Sequence, residues 1–194
     1  MVVVRMDQQL AIDVAGLHIP DAGPVFLATL AVHVLAGGAS VVSGALAATA
    51  AKRPGRHPRA GTVYLYAISA VFGTASVLAA LRWREDWHLF VIACVASGLA
   101  WFGRSARRRG RDGWMTWHGS AMAGSYAALF TGFYVDNGPQ LPLWDRLPHL
   151  TYWLLPAAVA LPLTWWALRR NRPAGGSASG RAVAGSVRRN EAGQ

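Results

Sequence analysis

The sequence predicts an all-α integral membrane bundle of five transmembrane helices, with its N-terminus outside and its C-terminus in the cytoplasm. Three observations lead there. The chain is 53% hydrophobic and only 14% charged, whereas soluble domains carry about 25% charged residues. Five long apolar runs follow one another between short polar connections. Those connections alternate between strongly basic and non-basic, as five crossings require.

Residues 1–23 form an outer segment. They lack a charged start followed by an apolar core, so they do not resemble a cleaved signal peptide, and a short surface helix is expected there. The transmembrane domain covers 24–170, with spans at 24–51, 61–81, 87–102, 115–135 and 150–168. A helix needs about 20 apolar residues to cross the hydrocarbon core, with a range of about 17–25. Spans one, two, four and five meet this length, and span three is the shortest. The runs are continuous rather than alternating, which favours helices over a barrel. Pro156 and Pro162 predict kinks in span five. Residues 171–194 are rich in Gly, Ser and Ala with basic punctuation and read as a disordered basic cytoplasmic tail.

Charge sets the orientation. The connection 52–60 holds Lys52, Arg53, Arg56 and Arg59 with no acid. The connection 103–114 holds Arg104, Arg107, Arg108, Arg109 and Arg111 against Asp112 alone, and the last span is followed by Arg169, Arg170 and Arg172. The other connections are balanced or acidic. Basic loops stay in the cytoplasm. The net charge of +10 is thereby explained as topology signal and contact with anionic lipid head groups. No nucleic-acid motif accompanies the arginines, so no nucleic-acid partner is expected. Trp83, Trp87, Trp144 and Trp153 mark one rim, and Trp101, Trp114, Trp117, Trp165 and Trp166 the other, as an aromatic belt does. Lys52 is the only lysine. That bias toward arginine fits a GC-rich bacterial genome, hence a bacterial inner membrane. Cys94, the only cysteine, excludes an internal disulfide.

Chemistry must come from polar groups inside the spans, because such groups are costly there. No Asp, Glu, Lys or Arg lies deep in a span, which argues against an ion-coupled transporter. There is no zinc spacing, nucleophile elbow or phosphate loop, so no catalytic or metal-ion set is assigned. Histidines remain: His33 in span one, His57 in the first basic connection, and His88, His118 and His149 at the starts of spans three, four and five. Neutral imidazole is a good axial haem ligand. Paired ligands must share a depth. His33 and His118 differ by about 17 Å in height at 1.5 Å per residue, so they are a poor pair. His33 with His88 on the outer side, and His118 with His57 on the inner side, are better, with His149 an alternative outer ligand. His57 would need its loop to fold back against the bundle.

A polar small-residue face accompanies these histidines. Both "HVLAGGAS" (33–40) and "HGSAMAGS" (118–125) fit H-x-x-A-x-x-x-S, a spacing that places His33 with Ser40 and His118 with Ser125 on one helix face. Met122, Tyr126, Tyr134, Asp136 and Asn137 continue that side. Small residues let helices approach closely in lipid. The expected function is haem-b-binding membrane electron transfer. The alternative is a non-enzymatic membrane module that binds a lipid, quinone or partner protein through the polar face.

Two stretches carry a family resemblance. "RHPRAGTVYLYAI" (56–68) resembles the second-span start of an uncharacterised bacterial membrane-protein family, a domain of unknown function. "WHGSAMAGSYAALFTGFYVDNGPQLPLW" (117–144) resembles its fourth-span signature. The resemblance covers most of 30–165, at His33, His57, Gly61, Tyr64, His118, Ser125, Tyr126, Tyr134, Asp136 and Asn137. It implies a multi-pass fold with histidines placed as in membrane cytochromes b, and supplies no reaction. The chain departs from the pattern in having His-Pro-Arg, and Pro58 disfavours a helical conformation at His57.

Overall fold

The computed structural model describes residues 11–14, 17–20, 23–51, 55–110, 112–142, 144 and 146–170. The expected tail 171–194, together with Lys52, Arg53, Arg111, Asp145 and Arg172, lies outside the described residues. Five helices form the body: α1 (Pro24–Thr49), α2 (Arg56–Leu81), α3 (Trp83–Arg109), α4 (Trp114–Asn137) and α5 (His149–Arg170). Each packs on its neighbours in sequence, and α4 also touches α1. The short connections therefore make an up-and-down bundle. The ends of α1, α2, α3, α4 and α5 near Ala47, His57, Gly103, His118 and Leu168 lie together, and the described arginines of α2 (Arg56, Arg59), α3 (Arg104, Arg107, Arg108, Arg109) and α5 (Arg169, Arg170) make this the basic end.

In the described part of the N-terminal segment, residues 11–14 and 17–20 are strands where a surface helix is expected. Strands β1 (Ala11–Val14) and β2 (Leu17–Pro20) pair antiparallel, with Ile12 opposite Ile19 and Asp13 opposite His18. Two residues separate the strands, the commonest hairpin length. Helix α1 then starts at Pro24, where a missing N–H costs nothing.

The helices differ from the expected spans in two ways. Helix α3 has 27 residues and is among four helices long and apolar enough to cross a membrane; the others are α1, α2 and α5. Helix α4 is not in that set. Its Thr, Ser, Tyr, His and Gly residues dilute its hydropathy. They are tolerated because α4 lies between α3 and α5 and contacts α1, so lipid does not surround it. Span three, expected to be marginal, is thus strong, and span four is the less apolar one.

Helix α2 begins at Arg56, so His57 is helical despite Pro58. Pro58 sits in the first turn, where its N–H would have no intrahelical partner. A single residue, Arg82, joins α2 to α3, and its guanidinium lies 3.8 Å from Asp86. Glu85 and Asp86 in the first turn of α3 and Arg107, Arg108 and Arg109 in its last complement the helix dipole. Gly110 and Gly113 turn the chain at φ 57° and 74°, a region that favours glycine. Helix α5 is one helix through both Pro156 and Pro162.

The surface is inside-out for a soluble protein. Leu35 is 74% exposed, and Leu161, Tyr66 and Leu150 are nearly as open. Exposed apolar area on this scale calls for a non-aqueous surround. The core is small and central: Tyr64, Leu65, Ile68, Val71, Ala96 and Ala100, with Met122 and Tyr126 against them. Hydroxyls are satisfied locally. Ser40, Ser43, Ser69, Ser76 and Thr131 each donate to the carbonyl four residues earlier. Such back-bonding removes the cost of a polar group in apolar surroundings.

Candidate functional site

Helices α2 and α4 run parallel and in register. Tyr64 bonds Ser125, and His57 lies beside His118. Both pairs are 61 positions apart. Seven residues separate the members along each helix, two turns or about 10 Å. One pair forms the centre of the bundle and the other lies at the basic end.

The central pair is a hydrogen-bond hub. The Ser125 hydroxyl donates to the Ala96 carbonyl at 2.7 Å. A hydroxyl has one proton, so Tyr64 must donate in its 2.7 Å contact with Ser125. Ser125 and Ser40 are both fully buried. Tyr126, the next residue, donates to the Val41 carbonyl of α1 at 2.9 Å. Adjacent residues of α4 thereby hold α1, α2 and α3. Gly44 makes room for this, since a Cβ there would collide with the Tyr126 ring. Trp101 adds an α3 to α2 bond by donating to Ser69 at 3.1 Å.

At the basic end, the rings of His57 and His118 have centroids 6.4 Å apart and planes at 86°. Each ring is held by a backbone carbonyl. His57 Nδ1 lies 2.8 Å from the Ala47 carbonyl, and His118 Nδ1 lies 2.8 Å from the Gly103 carbonyl. A carbonyl only accepts, so each Nδ1 carries a proton, and in the neutral ring this leaves the lone pair on Nε2. This is the tautomer that metal-ligating histidines adopt, with a second partner orienting the ring. Two neighbouring imidazoles, each oriented through Nδ1, are a donor set that would suit haem iron, and His57 and His118 are the residues that would hold it.

The surroundings follow from close packing. A Cβ on Gly103 would stand 3.1 Å from Met122 Sδ, 3.2 Å from Ala121 Cβ and 3.3 Å from the His118 carbonyl. Glycine at 103 therefore lets α3 and α4 approach until its carbonyl reaches His118. Trp114 lies beside His118, with centroids 6.4 Å apart. On the other flank a Gly119 Cβ would meet Leu168 at 3.0 Å, bringing the end of α5 to the same level. There Arg169 stacks 3.5 Å from the Trp165 ring centre and Arg170 4.5 Å from that of Trp166.

The other histidines are not paired in this way. His33 Nδ1 lies 2.9 Å from Thr74 Oγ1 on α2. His88 lies against Trp87 and against Trp153 of α5. The structure gives these two separate neighbours and does not bring them together. His149 contacts Tyr152. Met122 packs at Gly103. Tyr134 stacks on Trp144 at 4.5 Å. Asp136 lies within electrostatic reach of Asp86, His88 and Arg82, and Asn137 bonds Phe133 and Asp136. Among the described residues no group of three or more His, Cys, Asp or Glu could hold a metal ion.

Sequence reasoning did not find the Ala47 and Gly103 carbonyls, which are backbone groups without a side-chain signature, or Thr74 as the partner of His33. Comparison with protein-family models, curated proteins and solved structures finds no match for this chain.

Proposed function

We propose that this protein is a five-pass bacterial inner-membrane protein that binds haem b between His57 and His118 and serves membrane electron transfer. The observation that carries the reading is the pair itself: two imidazoles 6.4 Å apart, each with Nδ1 bonded to a backbone carbonyl. When bound, haem supplies reversible one-electron exchange. The chain's own residues do the rest. The Ala47 and Gly103 carbonyls fix the tautomers and make each Nε2 a better ligand. The closely packed α3 and α4 shield one side of the pair, and the basic rim offers cations to carboxylates or to anionic lipid head groups. Orientation follows the positive-inside rule, with the pair near the cytoplasmic face.

The alternative, a ligand on the polar face of α1 and α4, gains little support. Ser40 and Ser125 are fully buried, and Ser125 and Tyr126 are spent on bonds between helices. The test is optical. Full-length protein purified from haem-replete cells is expected to show a Soret band with about one haem per chain. A colourless preparation would overturn the reading.

A further inference from the structure

We propose that the outer face of α5 at the basic end is a selective site for an anionic phospholipid. Trp165 and Arg169 lie one turn apart on one column of this helix, and Trp166 and Arg170 on the next. The Arg169 guanidinium stands 3.5 Å from the Trp165 ring centre, and that of Arg170 stands 4.5 Å from the Trp166 ring centre. A ring covers the face of a guanidinium. The N–H donors lie in its plane and stay open at the edge. Stacking thus holds each cation in one pose without spending its donors. Both arginines are exposed, and among the described residues no carboxylate pairs with either. A phosphodiester, with two acceptor oxygens and one negative charge, suits such an edge.

The order of groups along the helix selects a lipid. From the middle of α5 to its end, one column reads Leu161, Trp165, Arg169 and the next reads Pro162, Trp166, Arg170, all of them exposed. Four residues rise about 6 Å. Each column therefore presents an apolar group, an indole and a guanidinium at successive depths. A phospholipid presents an acyl chain, a glycerol ester region and a phosphate in the same order. Indoles favour that middle level. A free phosphate would leave the indole and apolar levels uncovered. A zwitterionic lipid brings a cation beside its phosphate, which two arginines repel. The arginines that end α3 lack this device. Four residues before Arg107, Arg108 and Arg109 stand Gly103, Arg104 and Ser105, none of which carries a ring.

The site narrows the lipid contact of the basic rim to one helix face and does not rest on the haem reading. Its test equilibrates the full chain in detergent micelles with equal amounts of dioleoyl phosphatidylglycerol and dioleoyl phosphatidylcholine. Native mass spectrometry then reads which lipid the protein keeps. The phosphatidylglycerol adduct is expected to exceed the other about tenfold, the scale of two arginines at an anionic surface. Arg169→Gln with Arg170→Gln is expected to bring the two lipids near equality. Arg107→Gln with Arg108→Gln removes the same charge from the same end and is expected to keep the preference. Trp165→Leu with Trp166→Leu keeps every charge and is expected to cut the preference several-fold, because the guanidiniums lose their stacked pose. No preference in the unaltered chain would overturn the proposal. So would an equal loss in the two arginine pairs, which would reduce the contact to net charge, or a full preference after both tryptophans are replaced.

Discussion

At Ser125 one hydroxyl serves two helices. It accepts from Tyr64 and donates to Ala96, so Ser125→Ala leaves the buried Tyr64 phenol without its acceptor and takes a second bond from the Ala96 carbonyl, which keeps its intrahelical one. The expected loss is about 1–2 kcal/mol, the upper part of the range for hydrogen bonds between membrane helices. Tyr64→Phe removes a donor but orphans no group except one lone pair, and its loss should be smaller. Reversible unfolding in mixed micelles measures both, and equal losses would contradict this assignment of donor and acceptor. Gly103 makes a sharper prediction. Gly103→Ala must displace Met122, Ala121 or the His118 backbone, each 3.1–3.3 Å from the new methyl. The His118 bond to the 103 carbonyl lengthens, and haem retention on dilution is expected to fall about tenfold or more, as mutation of outer-shell partners does. Retention equal to that of the unaltered protein would separate Gly103 from the site. These residues show what a sequence reading reaches. The Ser125–Tyr126 centre and His118 with His57 are visible as polar side chains in apolar runs. The carbonyls of Ala47 and Gly103 are not, because backbone groups carry no residue-type signal.

At the scale of elements, α4 is the organising helix. It is the one long helix in the bundle not apolar enough to cross a membrane by composition, and it bonds to α1, α2 and α3. Its polarity and its central position have one cause: neighbours satisfy its hydroxyls, so lipid need not. Span three counts as the shortest because its apolar run ends at 87 and 102, whereas α3 carries charged first and last turns on the same helix, from Trp83 to Arg109. Pro58 shows a related limit. The rule that proline disfavours helix at the preceding residue yields at a helix start, where α2 takes in His57. The described strands before α1 depart from the expected helix for a different reason. Residues 11–20 are short, and local pattern alone did not separate a helix from the β1–β2 hairpin. A prediction belongs to α4 itself. Gly44→Leu on α1 collides with Tyr126 and should uncouple α1 from α4, with a loss of about 1–3 kcal/mol as for overpacked cores. A stability within 0.5 kcal/mol of the unaltered protein, about the range of ordinary surface substitutions, would contradict the packing.

For the whole molecule, the described arginines of α2, α3 and α5 share one end, and the histidine pair lies there. A reporter active only in the cytoplasm is expected to work when fused after Gly55 or Gly110, and to fail when fused after Arg82 or Gln140. The reverse pattern would invert the proposed orientation. Closest to the central claim is a ligand-assignment series on the intact membrane protein. Haem content per chain is measured in His57→Ala, His118→Ala, His33→Ala and His88→Ala, each purified from haem-replete cells. The account predicts about one haem per chain in the last two and near-complete loss in the first two. Haem kept in His57→Ala and His118→Ala, or lost in His33→Ala and His88→Ala instead, would contradict it.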